Sequence, residues 1–116
     1  MENLDAALEA QLDRARDRAI VADAIEPRAT SAYYDRASGQ VVIQLKDGST
    51  FMFPHELAQG LADASEDDLA NIEITPSGIG LHWEALDVDL TVPALLQGIY
   101  GTKAWMQQLR QKRTVA

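Results

Sequence analysis

Leu4, Leu8, Leu12, Ala15, Ala19 and Ala22 recur at three- and four-residue steps, while Glu9, Asp13, Arg16, Asp17 and Asp23 fall off that line. This spacing predicts an amphipathic helix from about Leu4 to Ala24. Alanine favours it, and no glycine or proline interrupts it before Pro27. Glu26-Pro27 ends it, because proline pushes the preceding residue out of the α region. The stripe finishes in small alanines that allow close approach. It packs either on its own domain or between chains, which makes Leu4, Leu8, Leu12, Ala15 and Ala19 the candidate oligomer interface.

The period then shortens to two. Ala29 to Asp35, Val41 to Leu45 and Ser49 to Phe53 read as three strands of a meander, joined by Arg36-Ala37-Ser38-Gly39 and by a turn at Asp47-Gly48. The apolar positions choose the second turn. A two-residue loop would pair Leu45 with Thr50 and put Phe51 and Phe53 on the face opposite Val41, Ile43 and Leu45. A three-residue loop, Lys46-Asp47-Gly48 with Gly48 left-handed, pairs Leu45 with Ser49 and gathers all five on one face. A half-buried sheet needs one apolar face, so the three-residue loop is expected.

Pro54 stops the third strand. His55 to Leu61 reads as a short helix weakened by Gly60. Ser65 caps another helix whose first turn, Glu66-Asp67-Asp68, complements the helix dipole and which ends near Asn71. Ile72 to Thr75 and Ile79 to Trp83 are expected to form a second hairpin around Ser77-Gly78. Val92 to Gly98 is a short helix with Pro93 in its first turn. Thr102 caps a terminal helix from Lys103 to about Lys112, with Trp105, Met106 and Leu109 on one side. The expected fold is α+β: a three-stranded antiparallel meander and a second short hairpin packed against short helices, with a long N-terminal helix and a C-terminal helix. Residues 1–24 form the N-terminal extension, 25–100 the core domain, and 101–116 the basic helix and tail.

Composition narrows the class. The 116 residues are 47% hydrophobic and 24% charged, which suits one globular domain with a modest core. No apolar run approaches the roughly 20 residues of a membrane span. The acidic start Met1-Glu2-Asn3-Leu4-Asp5 is unlike a signal peptide, and there is no cysteine, so a cytoplasmic location is expected. The formal net charge of −8 disfavours a general nucleic-acid binder. Between Lys46 and Lys103 there is no Lys or Arg, while Glu56, Asp63, Glu66, Asp67, Asp68, Glu73, Glu84, Asp87 and Asp89 all lie there. Lys103, Arg110, Lys112 and Arg113 then cluster at the end, too few for DNA affinity and partly explained by a cationic helix end.

Chemistry is sparse. His82, Glu84, Asp87 and Asp89 invite a metal or acid–base reading, but His82 and Trp83 must point to opposite faces of a strand, with Glu84 on the His82 side. Asp87 and Asp89 alternate with Val88 and Leu90, so one extended side can present both acids. Calcium-loop spacing is absent. His55 has no nucleophile motif beside it. Gly78-x-Gly80 lacks the third glycine of a phosphate loop and precedes a strand. Trp83 is expected in the core, and Trp105 either packs or anchors an interface.

The order of elements resembles the family called domain of unknown function 2442 over about residues 25–98. The residues that carry it are Ile25-Glu26-Pro27, Leu45-Lys46-Asp47-Gly48, Pro54 and the Leu57 to Leu69 helical pair. Gly78 to Leu90, with Trp83, Leu86, Asp87, Asp89 and Leu90, and then Leu95-Leu96-Gln97-Gly98 complete it. The resemblance implies a small bacterial or phage protein, antitoxin-like or regulatory, whose partner is a protein encoded nearby. It supplies no catalytic residues. The expected function is therefore non-enzymatic, without cofactor or metal, through protein–protein contact at Glu84, Asp87, Asp89 and Trp105. A homo-oligomeric assembly module is the first alternative, and a small enzyme or metal protein using His82 and the nearby acids is the second. Nucleic acid is expected only through a partner.

Overall fold

The computed structural model describes residues 27–115, with side chains described to residue 112. The expected helix over Leu4–Ala24 lies outside the described residues, and so do the interface candidates Leu4, Leu8, Leu12, Ala15 and Ala19. Strands β1 (Ala29–Asp35), β2 (Gln40–Leu45) and β3 (Thr50–Pro54) form an antiparallel meander in the order β1-β2-β3. The turn between β2 and β3 is the three-residue loop. Leu45 N–H donates to the Ser49 carbonyl at 2.9 Å, Gly48 N–H donates to the Leu45 carbonyl at 3.0 Å, and Gly48 takes φ +92°. The Asp47 carboxylate accepts from the Ser49 amide at 2.8 Å and steadies the loop. Ile43 therefore faces Phe51 and Val41 faces Phe53. Val41, Ile43, Leu45 and Phe53 are buried, with Phe51 partly buried beside them. The opposite face aligns Tyr33, Val42 and Met52 in one row.

The expected helix over His55–Leu61 is one 3-10 turn, His55–Leu57. Ala58 is extended (φ −95°, ψ 130°) and Gly60 left-handed (φ +87°), so the chain cannot stay helical. Its backbone groups serve tertiary partners instead. The Gln59 amide donates to the Tyr100 carbonyl, and the Leu57 carbonyl accepts from the Trp105 indole. Helix α1 (Glu66–Ala70) forms as expected, with the Ser65 hydroxyl accepting from the Asp68 amide at 3.2 Å.

The second hairpin is larger than the sequence implies. β4 (Glu73–Ile74), β5 (Gly80–Trp83) and β6 (Val88–Thr91) make a second three-stranded antiparallel sheet in the order β4-β5-β6. A 3-10 turn over Glu84–Leu86 and a left-handed Asp87 (φ 50°, ψ 48°) reverse the chain between β5 and β6. Leu81 then pairs with Leu90, and Trp83 with Val88, on the core side. The sheets join where the Ala29 amide donates to the Gly78 carbonyl at 2.7 Å.

Helix α2 (Val92–Leu96) begins with the Thr91 hydroxyl accepting from the Ala94 amide and carries Pro93 in its first turn. In helix α3 (Lys103–Val115) the Thr102 hydroxyl accepts from the Trp105 amide at 3.2 Å. Trp83, Phe53, Ile43, Leu61, Leu69, Leu81 and Leu95 fill the core. Burying each side chain contributes about 1.5–3 kcal/mol before entropy is counted. The Trp83 indole N–H is satisfied by the Leu69 carbonyl at 3.1 Å, so the ring enters the core without an orphaned donor. No described helix is long and apolar enough to cross a membrane.

Candidate functional site: the acidic corner of the second sheet

The β5–β6 reversal places its polar side chains by the pleat. Leu81 and Trp83 turn inward, which leaves His82 on the outer face, directly across from Asp89 on β6. His82 Nδ1 lies 2.7 Å from Asp89 Oδ1, and Nε2 lies 2.6 Å from Glu84 Oε2. An ionised carboxylate only accepts hydrogen bonds, so both ring nitrogens donate, and both donate only in the imidazolium. The Glu84 hydrogen bond first, then that of Asp89, pushes the His82 pKa up to about 9. At neutral pH His82 is a cation clamped between two carboxylates. Both lone pairs are taken up by protons, so the geometry gives neither a metal-binding nitrogen nor a free base. Among the described residues, no three His, Asp or Glu side chains converge where a metal could sit.

Asp87 departs from expectation. It is not extended beside Asp89 but left-handed, capping the 3-10 turn with its N–H on the Glu84 carbonyl at 3.2 Å. Aspartate tolerates this conformation better than most residues, which gives it a structural role of its own. Asp87 and Asp89 nevertheless open onto one groove of about 570 Å³. Five consecutive residues, Leu86 to Leu90, line it, and Gln59, Gly60, Gly101 and Thr102 supply the rest. A smaller hollow shares Gly60 and Leu86 with the groove and reaches Asp63 and Trp105. Among the described residues, no lysine or arginine lines either. Of the four candidate contact residues, Glu84 and Asp89 are thus joined through His82, Asp87 shares a groove with Asp89, and Trp105 stands in the adjoining hollow. Trp105 is partly buried, its indole donating to the Leu57 carbonyl at 2.7 Å.

Sequence reasoning did not single out three participants, although Asp63 and Glu73 belong to the lysine- and arginine-free acidic stretch. Glu73 stands across β5 from His82, Asp63 lines the hollow, and Gln59 ties the 59–60 loop to the start of α3 through the Thr102 amide at 2.9 Å. Their placement depends on register and tertiary contact, which spacing does not reveal. His55 is engaged structurally: Nδ1 donates to the Leu61 carbonyl at 2.9 Å, and the ring meets Tyr34 edge-on at 5.8 Å.

Residues 29–101 match the model of a family described as "Protein of unknown function (DUF2442)". A crystal structure of a protein of unknown function from Rhodospirillum rubrum is 59% identical, with a TM-score of 0.68, over 70% of this chain and 98% of that one. A solution structure of an uncharacterised protein from Chromobacterium violaceum is 28% identical, also at TM-score 0.68, over 84% of this chain and 90% of that one. No curated protein matches the sequence. From the three-residue turn of the meander to the buried tryptophan and the corner that follows it, the chain belongs to the DUF2442 family.

Proposed function

We propose that this protein works without catalysis, as a binding protein of antitoxin-like or regulatory kind. Its acidic corner engages a basic surface on a partner protein. The observation that carries the reading is the groove beside β6, which opens on Asp87 and Asp89 and, among the described residues, has no cationic side chain in its lining. The clamped His82 argues against an acid–base or metal role for the same residues, because both of its nitrogens are committed to Glu84 and Asp89. Charge at such a corner speeds and selects encounters more than it tightens them.

The test is co-purification of the tagged chain with the product of the neighbouring gene. Complex recovery is expected to fall with salt, and to fall at fixed salt with Asp87→Asn combined with Asp89→Lys. Asparagine keeps the left-handed turn at position 87 while removing its charge. Undiminished recovery with the doubly altered chain would falsify the assignment of the contact to this corner.

A further inference from the structure

Among the described residues β6 is an edge strand, because the sheet order is β4-β5-β6. The direction of its backbone groups follows from one bond. The Val92 amide donates to the Ile79 carbonyl at 2.7 Å, which makes residues 79 and 92 a hydrogen-bonded pair. Pairs alternate along an antiparallel ladder, so Leu81 with Leu90 and Trp83 with Val88 are bonded, while Gly80 with Thr91 and His82 with Asp89 are not. The N–H and C=O of Asp89 and the N–H of Thr91 therefore point away from β5. Among the described residues nothing takes them up. The groove follows this edge, since five successive residues at its corner line it.

The side chains specify what fits. Glu73 lies directly across from His82, and His82 directly across from Asp89, so the outer face carries one cross-strand row: acid, cation, acid. The next position in the row lies beyond β6, opposite Asp89. Opposite charges directly across a sheet attract and like charges repel. A second copy's β6 would set acid against acid there, and a cationic residue would continue the alternation. On the other side of the incoming strand, neighbours meet Val88 and Leu90, which are apolar and partly buried.

We infer that β6 accepts an extended segment of the partner as a fourth, antiparallel strand, with Lys or Arg opposite Asp89 alternating with apolar residues that face Val88 and Leu90. This rests on the reading of the acidic corner as the contact site and adds how the partner is held. Backbone bonds supply the attachment, and the alternation of side chains supplies the selectivity.

The experiment uses the full chain and a labelled synthetic peptide, Val-Arg-Val-Arg-Val-Arg-Val, followed by fluorescence anisotropy. Opposite Asp89 the arginine residues are the ones whose backbone faces β6. N-methylation of the arginine amides should therefore weaken binding by about tenfold or more. N-methylation of the valine amides, which face away, should leave it unchanged. A peptide of the same composition with its valines and arginines in separate blocks should bind as weakly as the arginine-methylated one, and Asp89→Asn should weaken the alternating peptide. Equal binding of the two methylated peptides, or no binding of the alternating peptide, overturns strand addition. If equal binding still depends on Asp87 and Asp89, the acidic corner survives as a contact site; if it is indifferent to both, the corner reading fails as well.

Discussion

His82 shows what one residue gains from its register. An unfolded histidine titrates near 6.5, whereas the folded one, hydrogen-bonded to Glu84 and Asp89, titrates near 9. The folded state therefore holds its proton more tightly. The resulting stabilisation is fully present below about pH 6.5 and is lost as pH rises through about 9. Two measurements follow at this scale. NMR titration of the ring is expected to give a pKa near 9, moving back toward 6.5 in Glu84→Gln and further when Asp89→Asn is added. The thermal midpoint should fall more between pH 7 and pH 10 in the native chain than in His82→Gln. A ring pKa near 6.5 in the native chain would show that the clamp does not hold in solution.

At the scale of elements, two left-handed glycines do different work. Gly48 (φ +92°) stands in open space at the tip of the β2–β3 loop, so alanine there costs backbone strain alone, about 1 kcal/mol. Gly60 (φ +87°) is pressed against β6, where an added Cβ would lie 2.5 Å from Val88 Cγ2. Gly60→Ala should carry the same strain and a further 1–3 kcal/mol or so of overpacking. Urea unfolding of the two variants compares them directly, and equal losses would mean that the loop is not pressed on the strand. The same two elements mark how far the sequence could be read. The meander was legible down to the loop length, because Val41, Ile43, Leu45, Phe51 and Phe53 share a face in one register only. The capped helices were legible from Ser65, Pro93 and Thr102. β6 was not, since a four-residue strand with Asp89 and Thr91 outward gains its identity from pairing Leu90 with Leu81. Nor was the loss of helix after Leu57, which follows from backbone bonds to Tyr100 and Trp105. Of the candidate site, Glu84 and Asp89 could be named as acids. Their convergence on His82 required the fold.

For the whole molecule, a net charge of −8 is divided between an acidic body and a basic end. The field of such a body acts before contact, on the rate at which a cationic partner arrives. In the co-purifying complex, stopped-flow association should slow several-fold between about 50 and 200 mM salt while dissociation changes little. A salt effect confined to dissociation would place the charges inside the contact without any steering by the field.

The two tryptophans stand in different surroundings, and the difference turns the chain into its own optical reporter. Trp83 is sealed in the core with its N–H on the Leu69 carbonyl, whereas Trp105 lines the hollow that continues the groove. Emission from Trp83 should be blue-shifted and shielded from iodide, and should change only on global unfolding. Trp105 should be quenched by iodide, and binding of the alternating peptide should protect it. A Trp105→Phe chain that retains all iodide quenching would reverse this assignment. With it in place, filling of the groove and loss of the fold can be followed as separate signals in one unlabelled sample.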